Sequence, residues 1–216
     1  MRICTTNPGK VAEFGGLLAP LDIRLTPTTK EDIPETGGTF HDNAREKAQG
    51  YAKLYPDCWI LSEDSGLVIP ALDDLPGPFS ARFDDLDLTS SMIKGGRVTP
   101  SGRPRDQMDP ANNERVLHLM KDVHQAARGA YFVAYIVVID PEGDIAFEVE
   151  QRAYGWITTE LRGTGGFGYD PLFESDTSFG QTWAEIDTAR KDLISHRSRA
   201  VWDLMAWLCS TKREVV

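Results

Sequence analysis

The chemistry-bearing residues fall into a few short stretches. In Ser62-Glu63-Asp64-Ser65-Gly66 two adjacent acids interrupt an apolar run between Cys58-Trp59-Ile60-Leu61 and Leu67-Val68-Ile69. Unpaired carboxylates at a strand end are costly to bury. A divalent cation resolves that cost, and Mg2+ suits it, because it takes one or two carboxylates and keeps waters and substrate phosphates in its shell. The alternative is a solvent-facing acidic turn.

Gly163-Thr164-Gly165-Gly166-Phe167-Gly168-Tyr169-Asp170-Pro171 interleaves four glycines with two aromatic rings ahead of an acid. Gly163, Gly165 and Gly168 satisfy G-x-G-x-x-G, but Pro171 follows where the dinucleotide fingerprint requires a helix to open, and no Gly-Lys-Ser/Thr closes a P-loop. Two readings stay open. One is a base-binding loop, with an aromatic face stacked on a heterocycle and backbone groups reading its edge. The other is a glycine-rich hairpin turn with aromatics packed beneath it.

Two further stretches could hold an anion. Thr5, Asn7 and Lys10 cluster where a short strand from Arg2 to Thr5 feeds a helix, with Asn7 as N-cap and Pro8 at the first helical position. Free N–H groups and the helix dipole favour a phosphate there, the alternative being a surface cap with a solvated lysine. Near the other end, Lys191 precedes Ser195-His196-Arg197, with Ser195 as the natural N-cap of a helix carrying Ala200, Val201, Leu204, Met205 and Leu208 on one face. His196, Arg197 and Arg199 crowd positive charge where the macrodipole disfavours it. An anionic or carbonyl-bearing ligand would compensate; otherwise these side chains point into water.

The elements that must position these groups follow from periodicity. Val11, Phe14, Leu17 and Leu18 mark the first helix, and Glu35 lies in a loop just before a helix opened by Thr39 and Asp42, with Phe40, Ala44, Ala48, Tyr51 and Ala52 on one face. Tyr131 to Asp140 and Ile145 to Tyr154 read as an antiparallel hairpin around Pro141-Glu142-Gly143-Asp144. Between Lys94 and Asn113 prolines and glycines surround Arg97, Arg103 and Arg105, predicting a mobile excursion without a helix, with helical periodicity resuming at Glu114. Proximity of its arginines to a bound anionic ligand would make it a lid; otherwise it is a solvated loop or subunit contact.

Composition bounds the class. The 216 residues, 41% hydrophobic and 26% charged, suit one globular domain. No apolar run approaches the ~20 residues of a membrane span and no signal-peptide core is present, so a cytoplasmic location is expected. Cys4, Cys58 and Cys209 have neither metal-ligand nor disulfide spacing and are expected to be reduced. A net charge of −10 argues against nucleic acid as partner.

Taken in order, the segments resemble the inosine triphosphate pyrophosphatases, which remove aberrant purine nucleoside triphosphates. The matching blocks are Thr5-Thr6-Asn7-Pro8-Gly9-Lys10; Glu35-Thr36 with Thr39-Phe40 and Asn43-Ala44; Asp64-Ser65-Gly66-Leu67 continuing to Pro76-Gly77 and Ser80-Ala81-Arg82; the glycine loop; and Lys191 with Ser195-His196-Arg197. The resemblance runs nearly end to end. It implies an α/β fold with a long twisted mixed β-sheet flanked by helices, one bilobed domain around a central nucleotide-binding cleft, and a homodimer. It also implies Mg2+-dependent cleavage of ITP, dITP or XTP between the α- and β-phosphates, giving the monophosphate and pyrophosphate. Carried over, Asp64 is the base and a metal ligand, Glu35 the other metal carboxylate, and Thr5, Asn7 and Lys10 the phosphate cradle. Ser65 contacts substrate, Phe167 stacks on the base, Gly168, Tyr169 and Asp170 line its pocket, and Lys191, His196 and Arg197 hold phosphate and the purine 6-oxo edge.

The chain departs from the family pattern where Asp73-Asp74 replaces a pair of glycines, where Glu63 stands at a position that is often aspartate, and in a longer connection over Lys94 to Asn113. Rival readings are a relative acting on a standard or modified nucleotide in a dedicated pathway, and a nucleotide-binding regulator that no longer hydrolyses. The regulator would be expected to lose Glu35 and Asp64, and both are present.

Overall fold

The computed structural model describes residues 1–5, 7–28, 33, 37–88 and 101–211, apart from the side chain of Arg105. In order the elements are β1 (Arg2–Ile3), α1 (Pro8–Leu18), β2 (Thr26–Pro27), α2 (Phe40–Leu54), β3 (Ile60–Ile69), β4 (Leu75–Pro76), α3 (Arg105–Met120), β5 (Gly129–Ile139), β6 (Ile145–Ile157), β7 (Phe173–Ser175), α4 (Thr188–Ile194) and α5 (His196–Thr211), with a 3-10 segment at Gly77–Asp85. The sheet is mixed, in the order β2-β1-β3-β5-β6-β7 with β4 on β3. β1 pairs in parallel with β2 and β3, whereas β3–β4 and β6–β7 are antiparallel. No helix among the described residues is long and apolar enough to cross a membrane.

The chain divides into two compact units, Met1–Asp64 with Ala134–Gln151 and Ser195–Val216, and Ser65–Val133 with Arg152–Ile194. In the first, Ile3, Leu61, Ala134, Ile136 and Val138 of the strands pack with Phe14 and Leu18 of α1 and with Ala200, Val201, Leu204 and Leu208 of α5. The predicted spacings on both helices thus face one core. In the second, Leu67, Ile69, Phe132, Ile157 and Phe173 pack with Val116 and Met120 of α3. Trp183 stacks on Phe132 with centroids 4.9 Å apart and meets the edge of Phe173 at 4.8 Å.

Local chemistry explains the helix starts. Asn7 Oδ1 accepts from the Gly9 N–H at 2.9 Å with Pro8 in the first turn, and Thr39 Oγ1 accepts from the Asp42 N–H at 3.0 Å. Ser195 Oγ accepts from the Ser198 N–H at 3.1 Å, the cap expected for α5.

Two expectations are corrected. Ser62 to Gly66 neither ends a short strand nor forms the alternative acidic turn: β3 is one ten-residue strand through both acids, and Glu63 and Asp64 are buried. The strand tolerates them because each carboxylate finds donors, described below. Residues 94–100 lie outside the described ones, but residues 105–113 of the stretch expected to lack a helix form the start of α3, despite Pro110 inside it. Tertiary contacts override propensity there. Met108, Asn112 and Asn113 are buried, and Arg115 donates to the carbonyls of Phe83, Asp84 and Leu86. Arg103 is engaged by Asp84 and Asp85.

The departure at Asp73-Asp74 has a backbone reason. Both residues have positive φ, 54° and 65°. That left-handed region favours glycine, and aspartate is one of the few other residues that visits it readily.

Candidate active site

In the first unit, β3 brings its acids to α1, α2 and α5. Successive strand residues point to opposite faces, so Glu63 and Asp64 meet different partners. Glu63 Oε1 accepts from Arg197 Nε at 3.0 Å and lies 2.9 Å from Nη2, and Oε2 lies 2.7 Å from Lys10 Nζ. Arg197 Nη1 also donates to Glu13. Burial alone would push the Glu63 carboxyl up, but Arg197 and Lys10 outweigh it and hold the acid well below the usual carboxylate range. The same burial lowers Lys10, with Glu63 opposing the shift. Lys47 Nζ donates to the Glu63 carbonyl at 3.4 Å.

Arg197 and His196 are both buried in the first turn of α5. For the guanidinium, Glu13 and Glu63 supply the compensating negative charge.

Asp64 Oδ2 accepts from Asn43 Nδ2 at 3.1 Å, and the buried Asn43 amide oxygen has no hydrogen-bond partner among the described residues. A buried carboxylate beside an amide oxygen with spare acceptor capacity is a hard-oxygen donor set, which fits a divalent cation that needs few protein ligands. Glu35, the other expected metal carboxylate, lies outside the described residues. Thr5 is half-buried, its hydroxyl oxygen accepting from the Asn7 N–H at 3.1 Å just before α1, while the Lys10 ammonium is directed to Glu63.

The second unit holds the glycine loop. Gly163 and Gly165 press against the Ala184 carbonyl: the Gly165 N–H donates to it at 3.0 Å, and a Cβ at Gly163, φ +79°, would lie 2.4 Å from it. The Phe167 N–H donates to Asp170 Oδ2 at 2.9 Å, and Lys191 Nζ donates to the same oxygen at 2.6 Å. The Lys191 ammonium also lies 4.8 Å from the centroid of the half-buried Phe167 ring and 5.4 Å from that of Trp183. Tyr169 is buried and its hydroxyl donates to the Ser80 carbonyl at 2.8 Å, so it supports the loop from below. Ser65 is half-buried in β3, and next to it Gly66 is packed so tightly that a Cβ would fall 2.2 Å from Ser80 Oγ.

Sequence reading missed Glu13, Lys47, Asp109 and Asn113. Lys47 stands one helical turn after Asn43 on α2, a spacing that could have flagged it. Nothing local marks Glu13.

A family model described as the Ham1 family matches residues 1–207. The chain belongs to the Ham1 family. It is 38% identical over 211 residues to a dITP/XTP pyrophosphatase of Halalkalibacterium halodurans, covering 95% of this chain and 97% of that protein. A dITP/XTP pyrophosphatase of Aquifex aeolicus is 39% identical over 204 residues, covering 94% and 93%. Among solved structures, a HAM1 protein from Coxiella burnetii superposes with a TM-score of 0.77 at 32% identity, covering 97% of this chain and 98% of that one. The α/β fold with its mixed sheet flanked by helices is therefore the Ham1 fold.

Proposed function

We propose that this Ham1-family protein hydrolyses nonstandard purine nucleoside triphosphates, ITP, dITP or XTP, to the monophosphate and pyrophosphate. The carrying observation is Asp64, a carboxylate held buried inside β3 by the Asn43 amide. The names of the similar pyrophosphatases support the substrate class.

Attack at the α-phosphorus needs a water, a group to orient or deprotonate it, and positive charge on the leaving pyrophosphate. Asp64 is proposed as the base. Lys10 and Arg197 are balanced by Glu63 and Glu13, so this quartet adds no net positive charge for a triphosphate. Asp64 and Glu35 are proposed to hold Mg2+, which would supply positive charge to the phosphate. Thr5, Asn7 and Lys10 are proposed to hold phosphate oxygens at the α1 N-terminus. Ser65 is proposed to touch substrate, Phe167 to stack on the base, and Gly168, Tyr169 and Asp170 to shape its pocket. Lys191 and His196 are proposed to hold phosphate and the 6-oxo edge, with Arg197 doing so from a guanidinium anchored on two glutamates. Donors aimed at a keto oxygen would face an amino group in adenine, which is how the base would be selected.

The proposal includes a homodimer, supported by the exposed Tyr154 and Trp156 on β6, and a cytoplasmic location, supported by the free thiols of Cys4, Cys58 and Cys209. Product analysis tests the reaction. ITP with Mg2+ is expected to yield inosine monophosphate and pyrophosphate in equal amounts, and inosine diphosphate with orthophosphate would overturn the assignment.

A further inference from the structure

One helix holds both polar atoms of Gly168. The Gly168 N–H donates to Asp109 Oδ2 at 3.0 Å, and its carbonyl accepts from Asn113 Nδ2 at 2.9 Å. Asp109 and Asn113 lie one turn apart on α3 and so share a face. Gly168 has φ +62°, one of several conformations open to glycine, and the paired bonds single this one out. The preceding residue is Phe167, whose own N–H is fixed by Asp170.

α3 is itself anchored. Asn112 Oδ1 accepts from the Asp84 N–H at 2.8 Å and its amide donates to the Ser80 carbonyl at 3.2 Å, the same carbonyl that takes the Tyr169 hydroxyl. The helix therefore grips the loop directly at Gly168 and indirectly through Tyr169. A loop this rich in glycine would otherwise have to be ordered by the nucleotide, at a cost in backbone entropy drawn from affinity.

We propose that Asp109 and Asn113 are positioning residues that hold the glycine loop, and with it the Phe167 ring, in a base-receiving conformation before nucleotide arrives. This rests on the proposed stacking role of Phe167. The pair acts through Gly168 and touches no reacting atom.

Asp109→Ala and Asn113→Ala, with Asp109→Asn as the conservative variant that keeps an acceptor for the Gly168 N–H, test it in steady-state assays on ITP. Inorganic tripolyphosphate serves as a base-free competitive inhibitor. The alanine variants are expected to raise KM for ITP about tenfold, equivalent to about 1.4 kcal/mol. Turnover and the tripolyphosphate inhibition constant should stay close to those of the starting protein, with Asp109→Asn near its KM. An unchanged KM, a parallel rise in the tripolyphosphate constant, or failure of Asp109→Asn to rescue overturns the proposal. Should the alanine variants not fold, amide exchange of the unaltered protein decides. Protection of the Phe167 and Gly168 amides without nucleotide supports preforming, and protection only with inosine monophosphate overturns it. If the unaltered protein releases no pyrophosphate from ITP, the substrate reading fails, and the exchange measurement still decides the positioning.

Discussion

Glu63 and Arg197, 134 residues apart in the chain, form a buried ion pair in which one carboxylate oxygen accepts from Nε of the guanidinium and lies 2.9 Å from its Nη2. Lys10 takes the other oxygen and Glu13 the remaining side of the guanidinium. Each charge in this quartet is tolerated only because the others are present. Removing one leaves a buried ion uncompensated, which costs more than the pair itself contributes.

Glu63→Gln is therefore expected to destabilise the protein by about 3 to 5 kcal/mol, the range for breaking a buried pair from one side. Urea unfolding measures it. A loss below about 1 kcal/mol, the level of an exposed pair, would contradict the buried quartet.

The pH dependence has a definite sign. Arg197 and Lys10 hold Glu63 below its ordinary value in the folded state, so the unfolded chain binds this proton first on acidification. The stabilisation from Glu63 is complete above the ordinary glutamate pKa of about 4.3 and is lost as pH falls below it toward the lower folded value. Thermal melting from pH 7 to 3 should show the starting protein losing stability below about pH 4.5 more steeply than Glu63→Gln does. Parallel curves for the two proteins would contradict the shift.

Asp64→Asn keeps the shape and an acceptor for the Asn43 amide while removing the charge proposed to bind metal and take a proton. Pyrophosphate release should fall by about a thousandfold or more, with the melting temperature little changed. Activity within about tenfold of the starting protein would remove Asp64 from the chemistry.

Phe167→Ala should weaken binding of inosine monophosphate by about 1 to 3 kcal/mol, the range for a lost base-stacking ring. Calorimetric titration reads this directly. Equal affinities would make the ring a structural partner of the Lys191 ammonium.

Local signals in the sequence were legible. Asn7-Pro8, Thr39 with Asp42, and Ser195 each predict a helix start that the structure contains, because capping chemistry acts within a few residues. The glycine loop was recognisable because its glycines are required by close approach, as at Gly163 against Ala184. Long-range compensation was not legible. The acids of β3 looked like a strand end because their partners, Lys10, Asn43 and Arg197, come from α1, α2 and α5. Likewise Arg105 to Asn113 reads as loop from its proline and neighbouring glycines, yet Asn112, Asn113 and Arg115 anchor it as a helix through bonds to distant carbonyls. Asp73-Asp74 shows the converse: the family's glycine pair points to positive φ, and here aspartates adopt it.

The most direct test of the central claim is kcat/KM for pyrophosphate release from ITP, XTP, ATP and GTP in Mg2+ with the same preparation. A site whose donors are aimed at a 6-oxo group should prefer ITP and XTP to ATP by roughly 10³ or more, since wrong-edge pairing leaves buried polar groups unsatisfied. Values for ATP within about tenfold of ITP, or no pyrophosphate from ITP and XTP, would contradict it.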